Sequence, residues 1–145
     1  MDVFYPFHPR LVHFPIALSL AGVAFVAVAF LGKAQEDRWF WAGRLLVLLG
    51  WIGAVVAGIA GLIDQSRAPN LPAVHDAINT HITVGIVLIV VFGLALYWPL
   101  RDKRLRSDSS HRWAYLALLL LGAALVLLEG WLGGHLVYQL GVGVK

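Results

Sequence analysis

The chain has 145 residues, of which 60% are apolar and only 13% charged, a balance that excludes an ordinary soluble domain. Its formal charge of +3 comes from basic residues that hug the ends of apolar stretches, which argues against nucleic-acid binding. With no cysteine, disulfides, thiolate ligands and covalently attached c-type haem are excluded as well.

Four apolar stretches, at about 11–32, 43–64, 73–99 and 113–133, are each long enough to cross a ~30 Å hydrocarbon core as a helix. They leave no room for a second domain. The predicted fold is therefore all-α: a single integral membrane four-helix bundle over 1–145, antiparallel and up-down. The first stretch follows an acidic residue, Asp2, and lacks a basic n-region or an Ala-x-Ala site, so it is read as a retained helix.

The first helix opens on His8-Pro9-Arg10-Leu11-Val12-His13-Phe14-Pro15, where a proline in the first turns is tolerated. The second carries Gly50, Gly53, Gly58 and Gly61 and ends at Asp64. The third opens on His75-Asp76-Ala77-Ile78-Asn79-Thr80-His81; residues six apart differ by about 120° around a helix, so these two histidines do not chelate one metal together. His111 falls in the basic connection from Arg101 to Arg112 and is read as solvated loop. The fourth helix holds Glu129 inside an apolar run and ends in Gly133-Gly134-His135-Leu136-Val137-Tyr138 and then Gly141-Val142-Gly143, where the glycine pair and the Gly-x-Gly allow a sharp turn on the outer surface.

Lys33, Arg38, Arg44, Arg101, Lys103, Arg104, Arg106 and Arg112 flank the first and third connections, while Arg10, Arg67 and Lys145 lie on the other side. The positive-inside rule makes those two connections cytoplasmic and both termini external, periplasmic in a Gram-negative inner membrane. Trp39, Trp41, Trp98 and Trp113 form an interfacial belt near the cytoplasmic ends.

Counting outward from the basic anchors, His13 stands twenty residues from Lys33, Asp64 twenty from Arg44, His81 twenty from Arg101 and Glu129 seventeen from Arg112. At ~1.5 Å per residue, four ionisable groups reach nearly one level, roughly 25 to 30 Å from the anchors and close under the outer interface. His75 lies about two turns further out, and His8 and His135 fall at or just beyond the boundary. The order histidine then acid repeats, His13 and Asp64 followed by His81 and Glu129, as two hairpins related by an axis along the membrane normal would give.

Ionisable side chains at such depth mark functional sites. Two imidazoles from facing helices suit a b-type haem, with His13 and His81 as axial ligands, His75 in place of His81 if the third helix starts later, and a second haem on His8, His75 or His135. No second layer of histidines stands near the cytoplasmic ends, so electrons would be exchanged on one face, with a periplasmic carrier or a quinone. That describes an electron-transfer or accessory subunit of a larger redox complex rather than a stand-alone enzyme. The same depth also suits a transition-metal ion held by His13, Asp64, His81 and Glu129, or a metal-free network in a structural subunit. No phosphate loop, nucleophile elbow or His-Glu-x-x-His is present.

His8-Pro9-Arg10-Leu11-Val12-His13-Phe14-Pro15-Ile16-Ala17-Leu18, Gly61-Leu62-Ile63-Asp64, and Gly133-Gly134-His135-Leu136-Val137-Tyr138 followed by Gly141-Val142-Gly143-Val144 resemble a family of small four-span bacterial membrane proteins, domain of unknown function 2231. The resemblance covers essentially the whole chain. It implies a bacterial inner-membrane protein with redox or haem association, and it singles out His8, His13, Gly133, Gly134 and Tyr138.

Overall fold

A computed structural model of the protein describes residues 8–32, 36–66 and 68–143, with the backbone alone at Glu36 and Arg106. Asp2, Lys33, Arg67, Val144 and Lys145, all used in the reading above, lie outside the described residues. The elements are α1 (His8–Leu11), α2 (His13–Leu31), α3 (Glu36–Gln65), α4 (Pro72–Arg101), a 3-10 turn (Lys103–Arg106) and α5 (Ser109–Tyr138). Four spans long and apolar enough to cross a membrane result, the first made of α1 and α2 together.

The observed helices overrun the predicted spans, most clearly at the last. Gly133 and Gly134 do not turn the chain; α5 continues to Tyr138, and the left-handed residues are Gly141 and Gly143, with φ of 66° and 78°. Near a bilayer every backbone N–H needs a partner, and continuing the helix supplies one at a cost of only about 1 kcal/mol per interior glycine. His111 is likewise not loop: it sits in the first turn of α5, whose N-cap Asp108 accepts from the Ser110 N–H, and its ring lies against Asp102.

α2 packs on α3, α3 on α4, α4 on α5, and α5 closes back on α2; α1 leans on α3. The outside of this ring is as apolar as its inside, with Leu45, Ile52 and Ile59 of α3, Ile86 and Val90 of α4, and Leu120 and Leu127 of α5 all exposed. Helices apolar all round are solvated by lipid.

The α2–α3 contact is a small-residue seam. A Cβ on Gly22 would come within 2.7 Å of the Val47 backbone N, and one on Gly43 within 2.8 Å of the Gly22 carbonyl, so these positions let the backbones meet. Buried Ser19 and Pro15 extend the seam toward Gly50 and Gly53. The main core, with Val26, Phe40, Val47, Phe92, Leu119 and Tyr115, fills the middle and the end that carries the α4–α5 connection, where Leu105 plugs the bundle. At the opposite end, which holds the termini, the buried apolar cluster shrinks to Val74, Ile78 and Leu136.

Candidate functional site: a pair of facing imidazoles

The thinner apolar core at the terminal end makes room for polar groups. Asp64, one residue before the end of α3, accepts the His8 backbone N–H on Oδ2 at 2.9 Å and so fixes the start of α1. The His8 side chain turns toward the preceding part of α3, and its Nδ1 donates to the Ala57 carbonyl at 2.6 Å. A carbonyl can only accept, so Nδ1 carries the proton and a neutral His8 presents a lone pair at Nε2. Gly61, one turn beyond Ala57, permits this approach: a Cβ there would stand 3.0 Å from Nδ1.

His81 enters from α4. Its Nδ1 is 2.8 Å from Glu129 Oε2 of α5, an ion-pair distance at which the N–H line misses the oxygen; an ionised Glu129 favours a proton on Nδ1. Glycine again makes the space, since a Cβ on Gly85 would fall 2.6 Å from Glu129 Oε1, and one on Gly133 would touch the His81 ring at 3.5 Å. The His81 and Glu129 side chains are 15% and 18% exposed.

The consequence is a confrontation of lone pairs. His8 Nε2 and His81 Nε2 stand 3.5 Å apart, the rings nearly perpendicular at 85° with centroids 5.6 Å apart. With both Nδ1 atoms protonated, two neutral imidazoles aim their lone pairs at one point, an arrangement that could accept a proton or a metal ion; with the other tautomer of His81, its Nε2–H donates to His8. Two nitrogens bound to one metal at about 2.0 Å each stand up to about 4 Å apart, which 3.5 Å approaches closely.

The other residues singled out by the sequence are placed differently. His13 opens α2 on its exposed side and makes no hydrogen bond among the described residues, so the structure does not bring it to His81. His75 is exposed, its Nε2 3.1 Å from Asn70 Oδ1. His135 stacks on Trp131 at 6.0 Å, and Tyr138 is 89% exposed. Asp64 and Glu129 do not join His13 and His81 around one point; they hold the two facing histidines from behind. Asp64 Oδ1 is buried without a hydrogen-bond partner among the described residues.

Counting along straight helices put His8 at or beyond the boundary and missed its pairing with His81. A side chain directed inward against α3 brings its imidazole to that level. Gly61 and Gly85, one turn from Ala57 and from His81, were the available signal.

Residues 5–145, essentially the whole chain, match the model of a family described as predicted membrane protein (DUF2231). No curated protein and no solved structure matches the chain.

Proposed function

The chain belongs to the DUF2231 family of predicted membrane proteins, and from that premise we propose that it is a membrane-embedded b-type haem protein that passes electrons, in which His8 and His81 would hold the haem. The observation that carries this reading is the approach of two Nε2 atoms to 3.5 Å, with His8 Nδ1 bonded to the Ala57 carbonyl and His81 Nδ1 2.8 Å from Glu129.

The donor set favours haem over a bare ion. Among the described residues no group of three or more histidines and carboxylates converges, so an ion would receive two protein donors, whereas a porphyrin brings four nitrogens and asks for two more. Haem bound there would supply one-electron transfer. Ala57 would hold His8 in one tautomer and orientation, and Glu129 would do the same for His81 while raising its basicity as a ligand. Gly61, Gly85 and Gly133 leave the rings and the carboxylate unobstructed. Asp64 would keep α1, and hence His8, in place. In this reading the termini face the periplasm across a bacterial inner membrane, and the partner is a periplasmic carrier, a quinone or a larger redox complex.

A proton shared between the two nitrogens is the second reading, since 3.5 Å is at the limit of hydrogen-bond reach. A reduced-minus-oxidised visible spectrum of the purified protein from haem-supplied cells separates the two. Haem binding predicts a b-type α band that is lost in His8→Ala and in His81→Ala and retained in His13→Ala. A featureless wild-type spectrum removes the haem reading; loss in His13→Ala with retention in His8→Ala would reassign the residues that hold the haem.

A further inference from the structure

We propose that the groove between α4 and α5 at the connection end is a binding site for an anionic phospholipid, with the headgroup phosphate on Arg101 and an acyl chain along Leu94, Tyr97 and Leu118. The groove encloses about 550 Å³ and is lined by these residues with Trp98 and Asp102.

Its chemistry is graded along the helix axis. Leu94, Tyr97 and Arg101 succeed one another at three- and four-residue steps, so they form one stripe from apolar to cationic on α4. Arg101 is exposed and makes no hydrogen bond or ion pair with a described residue. The adjacent Asp102 does not compete for it. Asp102 Oδ2 accepts the Trp98 indole N–H at 3.0 Å and lies 2.8 Å from His111 Nδ1, while Oδ1 accepts the Arg104 backbone N–H at 2.9 Å. The same bonds fix the Trp98 ring as a groove wall.

Charge complementarity selects an anionic headgroup over a zwitterionic one. Among the described side chains at this end, Arg38, Arg44, Arg101, Lys103, Arg104 and Arg112 outnumber Asp37, Asp102 and Asp108. Basic pockets between membrane helices recognise lipid phosphates in this way.

The test is native mass spectrometry of the delipidated full-length protein, titrated with dioleoyl phosphatidylglycerol and dioleoyl phosphatidylcholine. The proposal expects the first phosphatidylglycerol to bind at least about tenfold more tightly than phosphatidylcholine, a tenfold step corresponding to 1.4 kcal/mol. Arg101→Gln should bring the two lipids near parity, Leu118→Trp should weaken phosphatidylglycerol by filling the groove, and Arg104→Gln, outside the groove, should leave the preference intact. Equal losses in Arg101→Gln and Arg104→Gln would show diffuse surface charge and overturn the site. So would equal affinity for the two lipids in the wild type, or equally good competition by glycerol 1-phosphate, which has no acyl chain.

Discussion

At the connection end of the bundle, Leu105, Tyr115 and Phe40 are all but fully buried, and the cations there lie over rings: Arg112 5.3 Å from the Phe30 centroid, and Arg44 5.1 Å from Trp41 and 5.9 Å from Phe40. At the terminal end the inward-facing groups are His8, His81, Glu129 and Asp64, set among glycines, with only Val74, Ile78 and Leu136 buried beside them. The first arrangement gains from dispersion and cation–π attraction and leaves little to rearrange. The second spends packing density on orientation, since each glycine that admits a polar group also removes apolar contact. The protein's rigidity and its chemistry are thus assigned to opposite ends.

Substitutions can break that division. The largest expected effect is Phe92→Ala, because Phe92 is fully buried and its ring lies 2.7 Å from where a Gly122 Cβ would stand; the cavity should cost about 3–5 kcal/mol. Denaturant unfolding in detergent measures it, and the b-type spectrum of the still-folded fraction should persist. Loss of the spectrum in parallel with stability would mean that the two ends are coupled. Next comes Gly22→Val in the α2–α3 seam, which should destabilise by about 1–3 kcal/mol through overpacking against Val47, again without touching the histidines.

Gly61→Ala and Gly85→Ala should reverse the pattern. The first pushes His8 off the Ala57 carbonyl and the second pushes Glu129 off His81, so under the proposed haem function haem retention should fall by about 10–100-fold while the unfolding midpoint moves little. Haem titration of the two variants against wild type is the readout, and unchanged affinity would detach these glycines from the site.

The smallest effect is expected at Asp102. The Trp98 indole N–H, followed by the Arg104 backbone N–H and His111, holds its carboxyl below the usual carboxylate range. A depressed folded-state pKa contributes stability that is present above the ordinary value of about 3.9 and is lost as pH falls through the folded value. The advantage of wild type over Asp102→Asn should therefore be constant near neutral pH and vanish in acid. An advantage that persists at pH values well below the ordinary carboxylate range would contradict this electrostatic account.

Much of the fold was legible in the residues because membrane solvation leaves few options. A run such as Val84 to Leu96 has no polar side chain, and its backbone must satisfy itself, so a helix is required. The depth of His81 and Glu129 followed from counting along straight helices, and the structure brings these two together at 2.8 Å. The count failed at His8 because it assumed that helix position fixes side-chain depth. The His8 imidazole is drawn inward against α3 by a carbonyl that Gly61 leaves open, while Asp64 holds the His8 backbone N–H. Gly22 and Gly43 are close-packing residues. Gly61 and Gly85 have the same composition signal and a different neighbour.

The sequence by itself determined four spans, their order and their apolar surface, because these depend on local hydropathy and on backbone hydrogen bonding that each segment must complete alone. Tertiary structure alone decided which histidine faces which. That choice depends on distances of a few ångströms between α1, α3, α4 and α5, on which carbonyl a missing Cβ uncovers behind His8, and on the carboxylate that stands behind His81. No segment carries that information singly.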